Sequence, residues 1–142
     1  MKSSKCYLIT SLMLIVTILL CSASFILAKT TRETIELAEN YLLSNQNRDG
    51  GWPLLPGEDS DVEVTALVMQ ALLLQGHGSG WTVINRGMDF LIKKQRSDGS
   101  WSGNTAHTIF VVITLHLGQR DPEVREKGLT WLSEAQNGDG SW

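Results

Sequence analysis

Few residues of this chain have types that could do chemistry. Glu58, Asp59, Asp61 and Glu63 cluster around "DVEVTA" at 61–66, just ahead of an apolar run. Carboxylates can move a proton when neighbouring charges and hydrogen bonds tune them. The same stretch also reads as a helix start. Ser60-Asp61-Val62-Glu63 spells S-x-x-E, the pattern of a capping box, and the equivalent place before the next apolar run holds Asn104, another capping residue. Of three histidines, His77 sits in the Gly-rich "GHGSG", while His107 and His116 are nine apart, on opposite faces of a helix. None of them forms a ligand cluster. Cys6 and Cys21 both fall within the first 28 residues, so the remainder has neither thiolate ligands nor a disulfide framework. No metal and no cofactor are expected.

These residues must be positioned by something, and the chain repeats itself. "QNRDGGW" at 46–52, "QRSDGSW" at 95–101 and "QNGDGSW" at 136–142 are three versions of one phrase, with gaps of 49 and 41 residues between successive Gln. A fixed period of this length is the mark of a helical repeat. Upstream of the second and third copies, Val83, Gly87, Phe90 and Leu91 match Val124, Gly128, Trp131 and Leu132. That i, i+4, i+7, i+8 stripe is one apolar face of a helix, with Asp89, Lys93, Lys94, Glu126 and Glu134 off the stripe. The Asp-Gly pairs at 49–50, 98–99 and 139–140 supply the left-handed position that ends it. Between these amphipathic segments lie "DVEVTALVMQALLLQG" (61–76) and "NTAHTIFVVITLHLG" (104–118), apolar nearly all round. A helix without a wet face is a buried one. The expected unit is an outer amphipathic helix, a turn and an inner apolar helix, an all-α arrangement.

The first 28 residues have the layout of an export signal. Lys2 and Lys5 precede the apolar Tyr7–Leu20, and Ser22, Ala23 and Ser24 follow it. The competing reading is a retained anchor, because apolar character resumes at Phe25–Ala28 and the combined run could span a bilayer. Either way the expected destination is outside the cytoplasm, secreted or membrane-anchored, with residues 29–142 as the repeat domain. The net charge is −3, with no basic cluster, so nucleic acid is not an expected partner.

In the spacing of its Gln and Trp residues the chain resembles the QW-motif superfamily of squalene–hopene cyclases, oxidosqualene cyclases and prenyltransferases. Arg86-Gly87, Phe90-Leu91, Gln95 and Gly99-Ser100-Trp101 fill every position of that pattern, as do Lys127-Gly128, Trp131-Leu132, Gln136 and Gly140-Ser141-Trp142. The first copy has Leu37 in place of the basic residue and is otherwise complete through Gln46, Gly50 and Trp52. The resemblance implies a partial α/α toroid of about two and a half helix pairs around a central cavity. It also implies that each Gln stacks on the indole and bonds to backbone at a neighbouring helix end, making the motif a structural staple.

The cyclases of that superfamily carry Asp-x-Asp-Asp-Thr-Ala at the head of an inner helix, where the middle acid protonates an alkene. On that pattern Asp61 matches the first Asp, Glu63 stands for the middle one, and Val64 replaces the third; Thr65 and Ala66 match. With one carboxylate missing, capping is the first reading of Asp61 and Glu63 and catalysis the second. The zinc-dependent prenyltransferases need a Cys that residues 29–142 lack. Aromatic faces can stabilise carbocations; of Trp81, Phe90, Phe110 and Trp131, only Phe110 falls on an expected inner helix.

The functional expectation is an exported repeat domain that binds or scaffolds, without a catalytic site of its own. The alternative is an N-terminal piece of a squalene-cyclase-like enzyme whose acid lies elsewhere. A closed toroid needs about six helix pairs, so the sequence is expected to be a fragment, or a half-ring that pairs with a second copy. An isoprenoid or other apolar molecule is the expected ligand class.

Overall fold

The computed structural model describes residues 30–142. The segment read as a signal or anchor, 1–28, lies outside the described residues. The chain divides into two units, Met1–Asn40 and Tyr41–Trp142. In the first, residues 30–40 are helical and largely exposed, with Arg32 Nε donating to Glu36 Oε1 at 3.0 Å one turn away. Helical residues 30–44 are called α1.

The second unit contains β1 (Trp52–Pro53), β2 (Ser60–Asp61), α2 (Val62–Leu74), α3 (Thr82–Lys93), α4 (Thr105–Leu117) and α5 (Pro122–Ala135). The sequence shows no strand pattern, and the two strands are only two residues each, paired antiparallel with Trp52 opposite Asp61. They close the loop that leads into α2. The fold is all-α in every other respect.

The helix ends follow from capping chemistry. Asp61 is the N-cap of α2, its Oδ1 accepting from Val64 N at 2.9 Å, and Asn104 caps α4 by accepting from His107 N at 3.1 Å. This corrects the S-x-x-E expectation by one residue. Ser60 belongs to β2, and its hydroxyl donates to Asp49 Oδ1 at 2.6 Å, so Glu63 is not needed to cap it. The α5 helix opens with Pro122 at its first turn, where a missing N–H costs nothing.

Helices α2 and α4 pack side by side, with α3 against α2 and α5 against α4. Gln70 Nε2 crosses the α2–α4 seam to donate to Phe110 O at 3.0 Å and to Thr114 Oγ1 at 3.1 Å. The core is built from Trp52, Met69, Leu72, Met88, Leu91, Trp101, Val111 and Leu115. Arg120, in the turn after α4, donates to Asn85 Oδ1 at 3.0 Å and Asp89 Oδ1 at 3.1 Å, tying that turn to α3. The apolar helices are not wholly buried. Leu67 and Leu74 of α2 and Ile113 and Leu117 of α4 are exposed, because only the faces turned toward neighbouring helices are covered.

Candidate functional site

The three Gln–Trp motifs fold in the same way. In the second copy, Gln95 Nε2 donates to Gly99 O at 3.0 Å, Arg96 N to Ser100 O at 2.9 Å, and Trp101 Nε1 back to Leu91 O at 2.7 Å. The first copy repeats this, with Gln46 Nε2 on Gly50 O at 2.8 Å and Trp52 Nε1 on Leu42 O at 2.7 Å. In the third, Gln136 Nε2 donates to Gly140 O at 2.8 Å and Trp142 Nε1 to Leu132 O at 3.0 Å. The amide thus closes on the turn glycine, and the indole N–H reaches back to a carbonyl in the last turn of the preceding helix.

The first two motifs also reach the next outer helix. Gln46 Nε2 donates to Val83 O at 3.0 Å, and Gln95 Nε2 to Val124 O at 2.8 Å. Gly50 abuts Arg86 O, and a Cβ on Gly99 would lie 2.6 Å from Lys127 O. The indoles slide under small residues of those helices: a Cβ on Gly87 would lie 3.1 Å from the Trp52 ring, and one on Gly128 2.9 Å from the Trp101 ring. The spacing that repeats within the chain is therefore a physical joint between successive helix pairs. Gln95→Ala removes both bonds and should cost about 1–3 kcal/mol. The same change at Gln136, whose amide has no inter-helix bond among the described residues, should cost clearly less. Equal shifts of the denaturation midpoint in the two variants would mean that the Val124 bond contributes nothing.

Each turn also holds an Asp that accepts from the backbone two residues on. Ser100 donates to Asp98 Oδ1 from its hydroxyl at 2.7 Å and its N–H at 3.0 Å, holding that carboxyl below the usual aspartate range. Ser141 N–H and hydroxyl do the same for Asp139. At Asp49 partial burial pulls upward but is outweighed by the Ser60 hydroxyl, the Gly51 N–H and the charge of Lys94, so its pKa is also lowered. Gly51 stands where the other copies have serine, and Ser60 of β2 supplies the missing hydroxyl. Sequence reading missed this replacement, since the donor is eleven residues from its acceptor.

The heads of the two inner helices carry the remaining chemistry. Thr65 and Thr108, which the sequence alone does not connect to the Trp motifs, are fully buried, and their hydroxyls accept from Trp52 N at 2.8 Å and Trp101 N at 3.0 Å. Asp61 is occupied as a cap. Glu63 Oε2 lies 3.3 Å from His107 Nε2 across the α2–α4 seam, and His107 Nδ1 is buried without a hydrogen-bond partner. This contact is not legible in the sequence, because it joins residues 44 positions apart. Of the other aromatic candidates, Phe90 is buried in the core, Trp131 packs partly buried against it, and Trp81 stacks on His77 with ring centroids 3.9 Å apart. Among the described residues no cluster of His, Cys, Asp or Glu could hold a metal ion, and no helix is long and apolar enough to cross a membrane.

Comparison with known proteins bears on this architecture. Residues 7–81 match the squalene-hopene cyclase N-terminal domain, and residues 57–142 match the squalene-hopene cyclase C-terminal domain. The first match runs through most of the apolar segment whose layout resembles an export signal. The chain is 32% identical over 124 residues to a drimenyl diphosphate synthase of Streptomyces showdoensis, and 32% identical over 127 residues to one of Streptantibioticus cattleyicolor. Each alignment covers 78% of this chain and 23% of the relative, so the chain spans about a quarter of the length of the curated relatives it matches. On these matches, and on the repeated joint they accompany, the chain belongs to the squalene-hopene cyclase family.

Proposed function

We propose that residues 41–142 form part of the wall of an isoprenoid-binding cavity in a terpene-cyclase-like protein, serving as a binding and scaffold element. The observation that carries this is an apolar row left open on the inner helices. Leu67 and Phe110 stand at equivalent positions, six residues after the caps Asp61 and Asn104, and Leu74 and Leu117 stand thirteen after them. Leu67, Leu74 and Leu117 are exposed, and Phe110 is half-buried. Apolar side chains aligned on one face of a paired helix surface favour a long hydrocarbon chain over water. The Gln and Trp residues are meanwhile spent on holding the helices together.

A second reading rests on Glu63. Its spacing of four and eleven residues before Leu67 and Leu74 places it on the same stripe, at the head of the apolar row. An acid there, 3.3 Å from His107 Nε2, would meet one end of a bound chain. The relatives named drimenyl diphosphate synthase support looking for such chemistry. Val64 in place of a further carboxylate favours the scaffold reading.

The test uses farnesyl diphosphate as a linear isoprenoid probe, with tryptophan fluorescence for binding and mass spectrometry for products. Saturable binding that Leu67→Asn weakens about tenfold is expected, from loss of roughly 1.5 kcal/mol of apolar contact, with no cyclised product. A cyclised product that disappears in Glu63→Gln would replace the scaffold reading by the acid one. Absence of saturable binding would sink both.

A further inference from the structure

The turns of the three motifs join Asp or Asn to a following glycine at Asp49-Gly50, Asp98-Gly99, Asn137-Gly138 and Asp139-Gly140. In such a pair the glycine nitrogen can attack the side-chain carbonyl carbon of the residue before it, because glycine has no Cβ to hinder the approach. The fold guards the three Asp pairs. Gly50 N donates to Asn47 O at 3.0 Å, Gly99 N to Arg96 O at 3.0 Å and Gly140 N to Asn137 O at 2.9 Å, so each attacking nitrogen is tied into its own turn. The Ser100 hydroxyl and N–H hold the Asp98 carboxyl below the usual aspartate range, and the Ser141 N–H and hydroxyl do so for Asp139. An ionised carboxylate is a poor electrophile.

Asn137-Gly138 has none of this protection. Gly138 N donates no hydrogen bond among the described residues, while Asn137 N and Gly140 N on either side of it are both engaged. Nothing lies within 4 Å of a Cβ placed on Gly138, so the approach is open. A neutral amide is not shielded by ionisation. The remaining asparagines are followed by Tyr41, Gln46, Arg48, Arg86 and Thr105, each with a side chain beside the attacking nitrogen. Two of them are also held by buried or half-buried partners: Asn47 Nδ2 donates to Ser60 Oγ at 3.0 Å, and Asn85 Oδ1 accepts from Arg120 at 3.0 Å. The Asn137 amide donates from Nδ2 to Ser141 Oγ at 3.0 Å, with both residues exposed. In the second motif, whose joint is occupied, Arg96 and Ser97 stand at the same two places and are exposed as well. Solvent therefore reaches this part of the turn when the joint is filled.

We propose that Asn137 is a self-modifying site, at which the third motif ages by deamidation. Gly138 N forms a bond to Asn137 Cγ and gives up its proton, the Cγ–Nδ2 bond breaks, and the nitrogen takes up that proton and leaves as ammonia. Water then opens the succinimide ring at either carbonyl, giving aspartate or an isoaspartyl linkage. The isoaspartyl form carries the main chain through Cγ. It lengthens by an atom the turn that Asn137 N to Ser141 O and Gln136 Nε2 to Gly140 O close, each at 2.8 Å. Either product loses the donor to Ser141 and sets a second carboxylate two residues from Asp139.

The test incubates the folded 142-residue chain at mildly alkaline pH and follows each asparagine by trypsin cleavage and mass spectrometry. Cleavage after Lys127 releases residues 128–142, in which Asn137 is the sole asparagine. That peptide should gain the mass of an amide-to-acid change about tenfold faster than any other asparagine converts, a barrier lower by roughly 1.4 kcal/mol. Gly138→Ala meets neither a close neighbour nor a positive φ. It should slow conversion to the rate of the other asparagines, with circular dichroism unchanged. In urea, where the guarding bonds are gone, Asp98 should isomerise faster than in the folded chain, read by fragmentation that distinguishes the isoaspartyl linkage. Conversion at Asn137 no faster than elsewhere, or indifferent to Gly138→Ala, would overturn the proposal. So would isomerisation of Asp98 in the folded chain that keeps pace with Asn137.

Discussion

Trp101→Ala should come close to unfolding the helical unit. The side chain is 0% exposed and is held by its own N–H on Leu91 O at 2.7 Å. Its ring lies under Gly128 and beside Val112, so the truncation opens a cavity at the joint between α4, α5 and the preceding turn. Large-to-small changes of this kind cost about 3–5 kcal/mol. The Leu91 carbonyl also loses its shorter hydrogen bond and keeps the longer one from Lys94 N at 3.2 Å, which adds to the loss. For a small domain holding roughly 5–15 kcal/mol in all, that is a large fraction of its stability. Trp142→Ala provides the internal comparison, because it deletes the same residue from the same motif where the ring is 55% exposed. It should cost under about 1 kcal/mol, as surface changes do. Denaturation in guanidinium would measure both. A difference below about 1 kcal/mol would mean that the buried indole is not what holds successive helix pairs together.

The second large effect separates backbone strain from contact. Gly99 and Gly140 share a motif and nearly the same positive φ, 91° and 86°. Alanine at either must take up a left-handed backbone, at a cost of roughly 1–2 kcal/mol. At Gly140 that is all it meets. At Gly99 the new methyl would lie 2.6 Å from Lys127 O and 3.0 Å from its carbon, backbone atoms that cannot rotate away. Gly99→Ala must therefore push α5 off the turn and lengthen the Gln95–Val124 bond as well. Overpacking adds about 1–3 kcal/mol, so Gly99→Ala should be the more damaging by that margin. Comparable melting temperatures for the two variants would show that α5 shifts freely and that the close approach carries no energy.

Much of the helical unit is legible in the sequence, and the reason is distance along the chain. The turn between Gln and Trp closes on itself within a few residues, and the indole N–H reaches a carbonyl only ten residues back. Such contacts are set by local spacing, so three similar phrases announce three similar turns. The caps are equally local, and reading them failed only in register. The S-x-x-E pattern makes Ser60 the cap of α2, but Ser60 pairs with Pro53 and its hydroxyl serves Asp49 instead, leaving Asp61 as the cap. The burial of the inner helices was read too broadly for a different reason. Composition records that Leu67, Leu74 and Leu117 are apolar, but not which face of a helix its neighbours cover.

Sequence by itself determined the alternation of amphipathic and apolar helices and the turn that follows each outer helix, because these rest on periodicity and on hydrogen bonds within about fifteen residues. Tertiary structure alone decided which carbonyls receive the Gln amides, which glycines lie under the indoles, and that Glu63 meets His107. Those contacts join residues 27 to 44 positions apart. Their partners are chosen by how one helix pair settles on the next, and close packing admits only the arrangement in which small residues and bare carbonyls coincide with the turn beneath them.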